Sequence, residues 1–114
     1  MRLNIYTIFD TASGAYLRPF FMRSDGEALR MFENESINAE SPVGQHPEDY
    51  SLFRIGTYDD NKGELHPEDR ECLATALEVV AASRQVKANN LEKLDTEISN
   101  EVSNGAQLQS GPAG

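Results

Sequence analysis

The stretch His46 to Gly63, HPEDYSLFRIGTYDDNKG, decides how this chain folds. Its middle, Tyr50 to Tyr58, is built of Tyr, Leu, Phe, Ile and Thr, which fit a pleated, half-buried surface, and reads as a β-strand. Pro47 turns the chain into it. Asp59-Asp60-Asn61-Lys62-Gly63 turns the chain out again, as a short hairpin loop closing on a glycine able to take positive φ. Alternation puts Ser51, Phe53, Ile55 and Thr57 on one face and Tyr50, Leu52, Arg54, Gly56 and Tyr58 on the other. Phe53 and Ile55 are the expected core side chains, and the mixed opposite face is a candidate recognition surface. Asp59 to Gly63 also shares part of a calcium-loop pattern, but it lacks the full ligand series and the distal Glu, so a turn is expected.

Upstream, Leu3 to Phe9 alternates in the same way, with Leu3, Ile5, Thr7 and Phe9 on one face and Asn4, Tyr6 and Ile8 on the other. Asp10 to Gly14 is turn chemistry. Tyr16 to Met22 is the expected returning strand, and Pro19, which cannot donate to a ladder, places it at an edge or a bulge. Ser24-Asp25-Gly26-Glu27 has capping-box spacing. It predicts a helix from about Asp25 to Glu35 with Ala28, Leu29, Phe32 and Met31 as its apolar stripe. Ser36 to Asp49 is polar, carries Pro42, Gly44 and Pro47, and reads as a loop. His46, Glu48 and Asp49 fall in it, but their spacing matches no metal-ligand motif.

Downstream, Glu64-Leu65 can begin a short fourth strand. His66-Pro67-Glu68-Asp69 predicts the start of a second helix, with Pro67 in its first turn and acids at the positive end of the helix dipole. Leu73, Ala76, Leu77, Val80 and Ala81 make its stripe to about Arg84. Leu91, Leu94, Ile98 and Val102 form a further short amphipathic segment, and 103–114 is polar enough to be disordered. The expected fold is α+β: a small antiparallel sheet in ββα–ββα order with two helices packed on one face, plus an amphipathic C-terminal segment and a disordered tail. The expected divisions are 1–86, 87–102 and 103–114.

Composition narrows the function classes. A chain of 114 residues is one domain with a small core. The single Cys72 allows no intramolecular disulfide, suits a cytosolic setting, and is expected as a small buried helix residue. No apolar run is long enough to span a membrane, and Met1-Arg2-Leu3-Asn4 lacks the apolar core of a signal peptide. Net charge is −9, which opposes non-specific DNA binding. The charge is uneven: residues 1–32 carry +1, 33–71 carry −8 and 72–114 carry −2.

HPEDYSLFRIGTYDDNKG, together with LNIYTIFD (Leu3 to Asp10) and RPFFMRSD (Arg18 to Asp25), resembles the small nonstructural protein of gokushoviruses, single-stranded DNA bacteriophages of the Microviridae. The resemblance spans about Leu3 to Gly63. It implies a phage-encoded, non-capsid protein of the host bacterial cytoplasm, acting in genome replication or packaging and described as DNA-binding.

The residues themselves offer two binding surfaces. Arg2, Tyr6, Tyr16, Arg18, Phe20, Phe21 and Arg23 gather on the N-terminal hairpin, and Arg54 and Tyr58 can join them from the central strand. Basic groups that track phosphate and aromatic faces that stack on bases are what single-stranded DNA requires. The same pattern fits a plainer role, with Phe20, Phe21 and one Tyr in the core and the arginines as edge charges that block strand pairing. The other class of function is a protein adaptor. Leu91, Leu94, Ile98 and Val102 would then serve a homodimer, or bind the phage replication initiator, host proteins or the procapsid. No nucleotide-binding glycine loop, metal-ligand cluster or nucleophile elbow is present in the sequence, so neither catalysis nor a cofactor is expected.

Overall fold

The computed structural model describes the backbone of residues 1–113 and the side chains of residues 1–94. The fold is α+β. Strands β1 (Arg2–Asp10), β2 (Ala15–Tyr16) and β3 (Phe20–Met22) are followed by helices α1 (Asp25–Ile37) and α2 (Pro42–Gln45). Strands β4 (Tyr50–Asp59) and β5 (Glu64–Thr75) and helix α3 (Ala76–Ala113) complete the chain. Every pairing is antiparallel, in the order β2-β1-β4-β5, with β3 also on β1. The returning strand of the first hairpin is thus two short pieces. Pro19, without an N–H, interrupts it, and Tyr16 pairs with Phe9 while Phe21 pairs with Ile5.

Both turns form as their residues dictate. Asp59 Oδ1 accepts the N–H groups of Asn61 and Lys62, the Gly63 N–H donates to the Asp59 carbonyl at 2.8 Å, and Gly63 has φ +65°. Helix α1 starts where the cap predicts, with the Glu27 N–H donating to Ser24 Oγ at 3.2 Å. The Glu27 carboxylate reaches back to the Arg23 N–H instead of that of Ser24.

The core lies on one face of the sheet. Tyr6, Ile8 and Leu52 meet Ala28 and Phe32 of α1, Val43 of α2 and Ala76 of α3. The expected loop from Ser36 to Asp49 is instead mostly structured: Ser41 caps α2, and Pro47–Asp49 forms a 3-10 turn. Close approach requires glycine at Gly44, where a Cβ would sit 1.8 Å from the Asn38 carbonyl oxygen.

Three expectations for the second half are corrected. The region from His66 is not a helix but most of β5, which pairs with β4 from Glu64 to Thr75. The pairing energy of a long ladder outweighs a Pro-acid start signal, and Pro67 is tolerated because β5 is an edge strand. Cys72 is therefore an exposed strand residue, not a buried helical one. The core side chain of β4 is Leu52, while Phe53 and Ile55 are half-buried on the opposite face.

By its contacts the chain forms two compact units, Met1–Ala81 and Ala82–Gly114. In the second, Leu91 and Leu94 are exposed. The expectations for Ile98, Val102 and the tail at 103–114 concern side chains and surroundings outside the described residues.

Candidate nucleic-acid interface

The face of the sheet opposite the core is where the aromatic residues collect. Cross-strand partners share a face, so Tyr16 joins Phe9, Phe21 joins Ile5, Tyr58 joins Leu3, and Phe53 joins Thr7 on that side. Two clusters result. At one end of β1, the Phe9 and Tyr16 rings lie 4.6 Å apart and Tyr16 meets Phe53 edge-on at 5.9 Å. At the other end, Phe21 meets Tyr58 at 5.5 Å. Tyr16 and Phe21 stay open to solvent, 41% and 45% exposed.

A groove of about 360 Å³ runs beside the first cluster, lined by Thr7, Tyr16, Leu17, Pro19, Ile55 and Arg70. Irregular pairing builds it. Ile55 has no partner where β1 shifts register between Ile5 and Tyr6, and residues 68–70 of β5 bulge where Arg54 and Gly56 take Glu71 and Pro67 as partners. That bulge carries Arg70 to Tyr16. Its Cζ stands 5.3 Å from the ring centroid, and its guanidinium donates to the Tyr16 hydroxyl. A cation over an aromatic face is held by the ring quadrupole.

Tyr16, Phe21 and Tyr58, expected from the sequence as binding residues, therefore share this face. The others do not. Tyr6 is fully buried on the helix side, with no ring face open for stacking. Arg54 is also on the helix side, its Nη1 3.0 Å from Asp25 and its Nη2 2.6 Å from Glu71. Arg18 lines a separate helix-side cavity of about 580 Å³ with Leu17, Phe20 and Glu35. Phe20 stacks on Tyr6 at 5.7 Å. Arg2 and Arg23 are exposed, Arg2 pairing with Asp59 and Arg23 just preceding α1. Sequence reasoning missed Phe9, Phe53 and Arg70. The face of Phe9 was legible from the alternation; the position of Arg70 was hidden by the expected helix.

A family model described as Phage ORF5 protein matches residues 3–79. The chain belongs to that family. It is accordingly a bacteriophage protein, and the match covers β1 to β5 and the first residues of α3, the whole aromatic face included. The segment with Leu91 and Leu94 lies beyond it. No curated protein and no solved structure matches the chain. Among the described residues, no helix is long and apolar enough to cross a membrane.

The helix side of the family's matched region holds a polar knot. The Tyr6 hydroxyl donates to Asp25 Oδ1 at 2.6 Å and accepts from Asn4 Nδ2 at 3.0 Å. Asp25 lies beside Arg54, and its carboxylate pushes the guanidinium pKa above the ordinary value. The Tyr6 hydroxyl is pushed up to about 12, first by burial and then by its bond to Asp25. The folded chain thus holds this proton more tightly than the unfolded chain, where tyrosine titrates near 10. The resulting stabilisation is complete below about pH 10 and is lost as pH rises toward 12. Tyr6→Phe is expected to cost about 1–2 kcal/mol at pH 7 by removing two hydrogen bonds. It should also flatten the fall in stability above pH 10 relative to the wild type. Urea unfolding at pH 7 and across pH 10–12 checks both.

His46, Glu48 and Asp49 also come together at the 3-10 turn, their ligand atoms within 4.8 Å of one another. His46 and Glu48 are exposed, and Asp49 Oδ1 accepts from Thr11 Oγ1 at 3.2 Å.

Proposed function

We propose that this phage protein is a non-catalytic accessory factor of a gokushovirus-type member of the Microviridae. It acts in replication or packaging of the single-stranded DNA genome, in the host bacterial cytoplasm, and binds single-stranded DNA on the face of its sheet opposite the core. The observation that carries this reading is the aromatic face itself. Five of the nine aromatic residues lie on it, two are well exposed, and a guanidinium stands over one ring. A sheet that buries apolar side chains under helices on one side and displays rings on the other has the chemistry of a stacking platform for unpaired bases.

The test is fluorescence anisotropy of a labelled thymidine 20-mer titrated with the purified protein at 50 mM salt. Binding at micromolar protein or tighter is the expected result. Absence of binding would overturn direct DNA handling by the isolated protein.

A second reading has its own support. The exposed Leu91 and Leu94 of α3 and the −9 net charge suit a protein adaptor that docks a phage or host protein or a second copy. Under that reading, Leu94→Ala alters association state or partner capture from infected cells and leaves single-stranded DNA affinity unchanged.

A further inference from the structure

Resting on the single-strand reading above, we propose that the face grips one DNA strand at two separate stacking points and holds it by base stacking, with Arg70 as the one phosphate-facing cation of its groove. Tyr16, with Phe9 and Phe53, forms the first point and Tyr58, with Phe21, the second. The two are offset by the four residues between Ile5 and Phe9, where Phe21 and Tyr16 pair with β1. At roughly 3.3 Å per strand residue the points stand about 13 Å apart. A stacked strand advances about 3.4 Å per nucleotide, so about four or five nucleotides are needed to engage both.

The charge distribution sets the mode of grip. Residues 33–71 carry a net charge of −8, and the whole chain −9, so the protein as a whole repels a polyanion. Arg70 is the one cation lining the groove. Counterion release at a single phosphate gives a salt slope of about −0.7 for a single strand. Raising salt also screens the repulsion from the acidic chain. Affinity therefore falls only about threefold or less between 50 and 200 mM salt, where a strand held at many phosphates loses orders of magnitude. Bases inside a duplex already stack on one another and offer no free faces, so the platform selects single strands. Thr7 at the groove is buried with its hydroxyl donating to the Leu17 carbonyl, which leaves Arg70 and the Tyr16 hydroxyl as the side-chain groups there that can reach base edges, so the preference among bases is weak.

The experiment titrates labelled thymidine oligomers of two to twelve nucleotides, and a 20-bp duplex, at 50 and 200 mM salt. The proteins are the wild type, Tyr16→Leu, Tyr58→Leu, Tyr16→Phe and Tyr58→Phe, each checked for folding by circular dichroism. Affinity should climb to about four to six nucleotides and then level, and the duplex should bind at least tenfold more weakly. Each Leu variant should lose about tenfold while each Phe variant, which keeps the ring, stays within about threefold of the wild type. Three results overturn the two-point platform and leave single-strand binding standing: a steep salt dependence, unchanged affinity in folded Leu variants, or equal binding of duplex. No binding of any oligomer overturns both. A change of oligomeric state in the folded Leu variants, read by light scattering, would assign the face to a second copy and overturn the proposal.

Discussion

Phe32→Ala is expected to destabilise the Met1–Ala81 unit by about 3–5 kcal/mol, the range for removing a buried aromatic ring. Phe32 is fully buried and is the largest side chain that α1 contributes to the core. It packs in a cluster with Tyr6, Ile8 and Leu52 of the sheet, so its loss leaves a cavity between the two layers. The size of the domain makes this severe. A domain of this length has a total stability in the lower part of the 5–15 kcal/mol range. The variant should therefore unfold at much lower urea than the wild type, or be partly unfolded without denaturant. Equilibrium unfolding followed by circular dichroism measures it. A cost under about 1 kcal/mol would mean that α1 does not seal this core.

Local signals spoke clearly where a residue's chemistry has one structural use. The Ser24 cap located α1 at the right residue. Asp59 to Gly63 made the expected hairpin, and Pro19 marked the break between β2 and β3. What stayed hidden was decided at a distance. His66-Pro67-Glu68-Asp69 looks like a helix start, but the length of β4 gives the following residues a ladder to join, and the helix begins only at Ala76. The same event decides the candidate site. With β5 as a strand, its bulge carries Arg70 over Tyr16, a pairing of residues 54 positions apart that no local pattern announces. Tyr6 was misplaced for a different reason. Alternation sorted the faces of β1, but in β4 it held only as far as the bulge at Ile55, which turns Gly56 and Tyr58 to the face of Phe53 instead of that of Leu52 and Arg54. Nor does alternation show which face the helices cover. Ile5, Tyr6, Thr7 and Ile8 are all buried, so β1 gives no polar side to mark solvent.

β4 tests that assignment of faces most directly. Leu52→Ala is expected to cost about 2–5 kcal/mol, and Phe53→Ala clearly less, although Phe is the larger side chain. Leu52 is fully buried opposite Ile8 and belongs to the core under the helices. Phe53 is half-buried on the other face, where its ring meets Tyr16 edge-on. Such an aromatic pair contributes roughly 0.5–1.5 kcal/mol beyond area burial. Urea unfolding of the two variants side by side gives the order of costs. If Phe53→Ala cost more than Leu52→Ala, the face presented as a platform would be packed core. The second readout runs the other way: at low temperature and without denaturant, folded Phe53→Ala should bind a thymidine 20-mer several-fold more weakly. Folded Leu52→Ala should bind as the wild type does, because its side chain lies on the far side of the sheet.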